Sequence, residues 1–203
     1  MSVQLPNDPA RDDVLAGRPA LWLNPNLKAN GIADQSLPIR AAQVKEAEEN
    51  WQLLAPVLET CFPELKASKG RIQSKLIEAE DLRGALGYGT SEYGRVFVKA
   101  DGDLPVAGSI KARGGVYEVF MHAKKMAEKR GILTPGGDIT VLVGEQARAL
   151  FAQHTIAVGS TGNLGLSVGI AARALGFRAV VHMSSDAKQW KVCLLYTSDA
   201  ADE

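Results

Sequence analysis

Strand-like and helix-like segments alternate over the second half of the chain, and this order limits the possible folds more than any other feature. Three segments have the composition of strands: Arg95–Lys99, Thr155–Gly159 and Arg178–Met183. Two segments with helical periodicity lie between them, Val116–Arg130 and Leu166–Leu175. The order strand, helix, strand, helix, strand predicts an α/β fold with a parallel sheet, right-handed crossovers and flanking helices.

These segments also predict which residues are buried. The first helix carries one apolar stripe, which consists of Val116, Val119, Phe120, Ala123 and Ala127. The last strand holds the continuous apolar run 179–181, which suits a strand covered on both faces. Because ligands of parallel sheets bind at the carboxyl ends of the strands, residues that follow the strands are candidates for a site.

A lysine lies at the start of the first helix, within the stretch Gly108–Gly115. Ser109 is a good N-cap, which places Lys111 in the first helical turn. The helix dipole and desolvation by the neighbouring strand would both disfavour the protonated amine. A neutral amine can attack a carbonyl group and form a Schiff base. The alternative is a solvated surface lysine, which position alone favours.

A polar turn joins the second strand to the second helix. The stretch Ser160–Gly165 reads Ser-Thr-Gly-Asn-Leu-Gly, and free backbone N–H groups at such a helix start form an anion cradle. It is neither a P-loop nor a dinucleotide site, because the Gly-Lys-Ser/Thr and Gly-x-Gly-x-x-Gly patterns are absent. The alternative is an ordinary capped βα turn. If both motifs follow strands of one sheet, one cleft could hold both.

The segments before the first strand are less distinctive. Residues Arg40–Ala55 predict an amphipathic helix, with Val44, Ala47, Trp51 and Leu54 on one face. Proline suits the first position of a helix, so Pro56–Phe62 is expected to form a second, separate helix.

Three further expectations concern shorter segments. We expect a short strand around Ile72 and a helix that begins at Leu76. Residues 141–153 are expected to be irregular or partly helical, as an insertion between core elements.

Composition excludes several classes of protein. The 203 residues are 46% hydrophobic, which is typical of a globular chain. Lysine plus arginine equals aspartate plus glutamate, 23 each, so nothing suggests nucleic acid or an anionic membrane as partner. No apolar run approaches the length of a membrane span, and residues 1–18 do not resemble a signal peptide. Two cysteines without metal-type spacing predict no metal site and favour a cytoplasmic setting.

Three stretches carry a resemblance to a known family. These are Leu104–Val119, Ile156–Ser167 and Val181–Ala187. They resemble the N-terminal part of the D-serine dehydratases (D-serine ammonia-lyases), and the likeness spans nearly all of residues 20–191. The lysine motif and the Ser-Thr-Gly-Asn turn are specific to the tryptophan-synthase-β fold type. The sequence Ser-Ile-Lys-Ala-Arg-Gly-Gly is specific to the family.

The resemblance implies a cofactor, a fold and a set of site residues. It implies pyridoxal 5'-phosphate bound as a Schiff base to Lys111, with Asn163 hydrogen-bonded to the ring oxygen. Ser160, Thr161 and Gly162 would receive the substrate carboxylate. The fold would be fold type II, with two intertwined α/β domains of which residues 1–191 form an incomplete part.

The resemblance also implies a reaction. D-Serine would be dehydrated and deaminated to pyruvate and ammonia by a cytoplasmic monomer, with Lys111 one candidate for the base that removes the Cα proton. The family's phosphate-binding loop, the partner of the pyridine nitrogen and the monovalent-cation site are absent from this sequence. We therefore expect the chain as written to be inactive and to bind the cofactor weakly.

Other interpretations remain open. Residues 192–203 resemble translated sequencing adapter, so we expect them to be foreign to the protein. The chain could instead resemble an L-serine/threonine dehydratase, or be a non-catalytic protein that binds a small anion at residues 160–163. It could also be a misfolded truncation product without a function.

Overall fold

The computed structural model describes residues 10–23, 38–89, 94–190 and 193. They divide into two compact units, residues 1–44 and 45–203. The helices are α1 (Arg11–Leu15), α2 (Ala41–Cys61), α3 (Glu80–Ala85), α4 (Lys111–Lys129), α5 (Glu145–Phe151) and α6 (Asn163–Leu175). The strands are β1 (Leu76–Glu78), β2 (Phe97–Lys99), β3 (Thr155–Gly159) and β4 (Arg178–His182). Short 3₁₀ turns occupy Pro63–Ser68, Asp101–Asp103 and Ile139–Val143.

Within the first unit, α1 is a single short helix with no buried residue. Its C-terminal end is held by an exposed ion pair, in which Arg18 Nη2 lies 2.7 Å from Asp13 Oδ1.

The second unit contains the hydrophobic core, which α4 and α6 dominate. The predicted stripe of α4 is buried throughout, together with Ala112 and Gly115. Phe120 packs near Phe62, with ring centroids 6.3 Å apart, and Phe151 stacks on Phe177 at 4.5 Å. Such aromatic pairs add directional packing to the burial of apolar area.

The predicted parallel sheet is confirmed only in part. Strands β3 and β4 pair in parallel, with Thr155 opposite Arg178 and Gly159 opposite His182. Strand β2 does not join them, because it pairs antiparallel with β1 in a separate two-stranded sheet. The expectation of one parallel sheet through all three predicted strands was therefore wrong for the described residues.

The expected burial of the last strand was also wrong. Residues of β4 alternate between exposed and half-buried, and Val180 is 40% exposed. The apolar run therefore does form a strand, but the described residues do not cover this strand on both faces.

Sequence reasoning also misplaced the elements before β2. Pro56 does not open a new helix but lies inside α2, where Leu54, Val57 and Leu58 are fully buried around it. Their packing offsets the backbone hydrogen bond that a proline cannot donate. Of the predicted apolar face, Leu54 is buried but Val44 is 61% exposed.

Both expectations for the segment after α2, the strand around Ile72 and the helix from Leu76, were wrong in position. Ile72 is buried without being in a strand, whereas Leu76–Glu78 forms β1 rather than a helix. An ion pair between Arg95 and Glu78 and a 2.9 Å hydrogen bond from the Ala79 amide to the Val96 carbonyl extend the pairing with β2. Cross-strand contacts, which local sequence does not reveal, therefore decide the structure of this segment.

Residues 141–153 are partly helical, as predicted, but they are not an insertion outside the core. Leu142, Ala147 and Phe151 are fully buried. Arg148 ties α5 to the end of α6 through a 3.1 Å hydrogen bond from its Nη2 to the Ala174 carbonyl.

Candidate active site

The turn before α4 presents Lys111. The Ser109 hydroxyl oxygen accepts a 3.3 Å hydrogen bond from the Lys111 amide, so Ser109 caps the helix as predicted, although regular helix begins one residue later than expected. Leu104 and Ala107 are buried and anchor the turn to the core. Val106 lies between them with φ of 76°, a left-handed conformation that is costly for a β-branched residue.

Lys111 itself is exposed in the structure. The burial beside an apolar strand that the sequence suggested for this side chain is therefore not found. Ala112 and Val116 on the same helix are fully buried, so the backbone that carries the lysine is fixed.

The turn before α6 is held by its own side chains. The Ser160 amide donates to the His182 carbonyl at 2.9 Å, which continues the pairing of β3 with β4. The Ser160 hydroxyl oxygen accepts from the Gly162 amide at 3.2 Å. Helix α6 begins at Asn163, three residues earlier than predicted, with extended backbone at Gly162. Ser160, Thr161, Gly162 and Asn163 are all half-buried.

Close packing brings these two helix starts together. A Cβ added to Gly115 would lie 2.9 Å from Ser167 Cβ and 3.4 Å from Leu164 Cδ1. Gly115 is one turn after Lys111, and Leu164 follows Asn163 directly. The absence of a side chain at Gly115 thus lets the first turns of α4 and α6 approach each other.

A cavity of about 670 Å³ opens between the two turns. Gly108 lines it from the turn before α4, and Asn163 lines it from the start of α6. Its other lining residues are Gly102, Val106, Ala107, Leu166, Lys188 and Trp190. The structure therefore brings the two predicted motifs to one cavity, although Lys111 is not among the residues that line it.

Sequence reasoning missed a third group of polar residues, which contacts the turn before α6. Thr161 Oγ1 and Ser184 Oγ lie 2.8 Å apart, and the Ser184 amide donates to Thr161 Oγ1 at 3.1 Å. The Ser184 hydroxyl in turn donates to the Asp186 carboxylate. This hydrogen bond lowers the pKa of Asp186 from its ordinary value. The available signal was the polar run directly after β4, at the same sheet edge as the end of β3.

A second cavity, of about 900 Å³, lies away from this pair of turns. It is lined by Trp51 and Arg113 but by neither Lys111 nor Asn163. The Arg113 guanidinium lies 5.7 Å from the centre of the Trp51 ring, a cation–π contact. Arg113 thus contributes to packing between α2 and α4, and the smaller cavity is the better candidate for the site.

The described residues lack two other features that would indicate a function. None of their His, Cys, Asp and Glu side chains form a group of three that could hold a metal ion. None of their helices combines the length and the hydropathy that crossing a membrane requires.

Comparison with known proteins identifies the family. The family described as "Pyridoxal-phosphate dependent enzyme" matches residues 68–200. The chain belongs to the pyridoxal-phosphate-dependent enzymes. Both turns, the cavity between them and the Thr161–Ser184–Asp186 group lie inside the matched residues.

Individual relatives are similar over almost the whole chain. A "Probable D-serine dehydratase" from Rhizobium etli (strain CIAT 652) is 64% identical over 192 residues, which cover 95% of this chain and 43% of the relative. Proteins of the same name from Acidovorax ebreus (strain TPSY) and Bacillus mycoides (strain KBAB4) are 48% and 43% identical, with 94% and 92% of this chain covered. This chain spans 44% and 42% of their lengths.

The cavity fits the cofactor of a pyridoxal-phosphate-dependent enzyme. Its volume lies within the range of about 300–1,000 Å³ that is usual for small-molecule sites. A Cβ added to Gly102 would meet no atom within 4 Å, so there is open space beside the backbone. The Asn163 amide at the wall suits a ring that carries a hydroxyl oxygen. The Lys111 amine suits an aldehyde and lies three residues beyond Gly108, although Lys111 does not line the cavity.

Proposed function

We propose that this chain is the N-terminal part of a pyridoxal-phosphate-dependent D-serine dehydratase of the tryptophan-synthase-β fold type. The observation that carries the proposal is the single cavity shared by the turn before Lys111 and the start of α6 at Asn163. The printed names of the relatives supply the substrate. The chain spans less than half the length of those relatives, so the activity is proposed for the longer protein.

The chemistry divides between the cofactor and the side chains. Pyridoxal phosphate, when bound, supplies an electron sink that stabilises negative charge at the substrate Cα. Lys111 would hold the cofactor through its amine and, once released, could take the proton from Cα. Its exposed position leaves the amine accessible to an aldehyde.

The start of α6 would orient ring and substrate. The Asn163 amide would hydrogen-bond the ring oxygen. The turn Ser160–Gly162 would receive the substrate carboxylate. The Ser160 and Gly162 amides already donate within the protein, so the Thr161 amide, the first amides of α6 and the positive end of the helix dipole would favour the anion there. The carboxylate and the ring would then be fixed on one rigid helix start, which holds the Cα–H bond in a constant direction.

Several parts of a complete site are not formed by the residues named above. The phosphate-binding loop, the pyridine-nitrogen partner and a monovalent-cation site would be supplied by further sequence. The chain of 203 residues would then be inactive alone and bind the cofactor weakly. We also propose that residues 1–191 are native and 192–203 foreign, and that the complete enzyme is a cytoplasmic monomer. The genomic sequence beyond codon 191 tests the boundary directly.

Pyruvate release tests the proposed activity. The full-length protein, loaded with pyridoxal phosphate, should release pyruvate from D-serine and much less from L-serine, and Lys111→Ala should abolish the release. Faster release from L-serine would favour an L-serine/threonine dehydratase. Release from neither, together with no absorbance band at roughly 420 nm, would favour a protein that only binds small anions.

A further inference from the structure

The hydrogen bonds around Thr161 have a fixed direction. A serine hydroxyl has one proton, and the Ser184 proton is donated to the Asp186 carboxylate, which can only accept when ionised. The 2.8 Å contact between Thr161 and Ser184 must therefore be donated by the Thr161 hydroxyl. The same Thr161 oxygen accepts from the Ser184 amide at 3.1 Å.

This arrangement prevents the Thr161 side chain from donating a hydrogen bond to a ligand. Its only proton points away from the turn toward Ser184, so its side chain has only a lone pair to offer a ligand. A carboxylate is also an acceptor and gains nothing from a second lone pair. A carboxylate at this turn would be bound by backbone N–H groups, and the Thr161 side chain would act on the position of the backbone.

The contact also joins two separate segments of chain. The Ser160 hydroxyl bonds to Gly162 within the same turn, whereas Thr161 bonds to a residue 23 positions away, beyond β4. Thr161 and Ser184 exchange two hydrogen bonds, and the charged Asp186 strengthens the one between the two hydroxyls by accepting from the Ser184 hydroxyl. The loop after β4 therefore restricts the turn that follows β3.

We infer that Ser184 and Asp186 are positioning residues, which act through Thr161 to hold the turn 160–162 in the geometry that receives a carboxylate. The inference rests on the proposed function for the identity of the ligand, the carboxylate of a small amino acid. It assigns to Ser184 and Asp186 a role in substrate affinity and none in cofactor attachment.

Kinetics of the full-length holoenzyme test the inference. Ser184→Ala should raise the KM for D-serine by about two- to tenfold, the value of one or two ordinary hydrogen bonds. Its kcat should change by less than about twofold, and the absorbance of the bound cofactor should be unchanged. Ser184→Thr keeps the hydroxyl and should restore the KM. Asp186→Ala should give a smaller rise, because the Ser184 hydroxyl still accepts a hydrogen bond from Thr161.

Combined variants show whether Ser184 acts through Thr161. The double variant Thr161→Val/Ser184→Ala should have the same KM as Thr161→Val alone. The neighbouring Ser185 is exposed and its side chain makes no hydrogen bond to the residues that the structure describes, so Ser185→Ala is the matched control and should leave KM unchanged. Additive effects of Thr161→Val and Ser184→Ala, or a Ser184→Ala variant with normal KM, would overturn the inference.

A measurement without substrate separates this inference from the proposed function. If the wild-type holoenzyme releases no pyruvate from D-serine, the proposed function fails while the positioning contact can still be examined. Hydrogen exchange at the Ser184 amide should be slow in the wild type and at least about tenfold faster in Thr161→Val, since about 1.4 kcal/mol of protection corresponds to tenfold. Equal exchange in both proteins would show that the contact does not hold the turn.

Discussion

The two turns that open α4 and α6 reach the same cavity by different means. The turn before α6 directly continues a strand of the parallel pair. It is held by the Ser160 hydroxyl, which accepts from the Gly162 amide, and by the Thr161 hydroxyl, which accepts from the Ser184 amide. The turn before α4 follows no strand of that sheet and is held by buried Leu104 and Ala107, with strained backbone at Val106. A site can thus combine one turn fixed by sheet geometry with one fixed by packing.

The anchoring glycines provide the largest test of this difference. A Cβ at Gly165 would lie 2.5 Å from the Ser160 carbonyl oxygen, which is backbone, whereas one at Gly115 would meet the Ser167 side chain at 2.9 Å. We expect Gly165→Ala to lower the free energy of unfolding by about 3 kcal/mol and Gly115→Ala by about 1–2 kcal/mol. Urea unfolding of the chain measures both.

Gly114 is the matched control for these substitutions. It lies in the same helix as Gly115, is exposed, and a Cβ there would meet no atom within 4 Å. Gly114→Ala should therefore raise the free energy of unfolding by roughly 0.5–1 kcal/mol through helix propensity. A loss of stability at Gly114 comparable to that at Gly115 would contradict the helix contact.

Strain in the turn before α4 predicts an inverted order of stability. Alanine is usually more stable than glycine by roughly 0.5–1 kcal/mol, but a left-handed backbone costs a non-glycine residue about 1–2 kcal/mol. Val106→Gly should therefore unfold at higher urea concentration than Val106→Ala, by about 1 kcal/mol in free energy. The usual order, with alanine more stable, would show that φ of 76° is not retained.

The serine hydroxyls of the two turns should contribute about equally to stability. Ser109 accepts from the Lys111 amide and Ser160 accepts from the Gly162 amide, at 3.3 and 3.2 Å. Ser109→Ala and Ser160→Ala should each cost about 0.5–1 kcal/mol of unfolding free energy. Thermal unfolding of the two variants would refute this equality if one were neutral.

Acid should loosen the contact of Asp186 and Ser184 with the turn before α6 more than it loosens the helix start at Ala112. The Ser184 hydroxyl lowers the pKa of Asp186 below its ordinary value of 3.8. Because the folded pKa is depressed, this contribution to stability is complete above about pH 3.8 and is lost as the pH falls through the folded pKa. Exchange of the Ser184 amide, corrected for intrinsic rates, should accelerate there while that of Ala112 does not. Acceleration at Ala112 alone would contradict the comparison.

Local sequence patterns correctly predicted the structural features that depend on a single segment of the chain. Three features are as expected: the strand Thr155–Gly159, the helix that ends at Leu175 and the buried stripe of α4. They were predictable because the spacing of apolar residues within one segment determines its secondary structure and its buried face. The Ser109 cap was predictable for the same reason. The resemblance to a pyridoxal-phosphate-dependent family was also confirmed.

Pairing between distant segments could not be predicted in this way. Leu76–Glu78 forms a strand only because Phe97–Lys99 pairs with it, and Pro56 stays within a helix because of buried neighbours. The contact between Thr161 and Ser184 likewise depends on the parallel pairing of β3 with β4, which brings the loops after the two strands together. The roles of Lys111, Asn163, Ser160, Thr161 and Gly162 stay predictions, which no observation on the described residues tests.

Borohydride reduction of the full-length protein in the presence of pyridoxal phosphate tests the central claim most directly. The account predicts one stable pyridoxyl group, located by peptide mapping on Lys111 and absent from Lys111→Ala. Labelling spread over several surface lysines, or unchanged in Lys111→Ala, would contradict it.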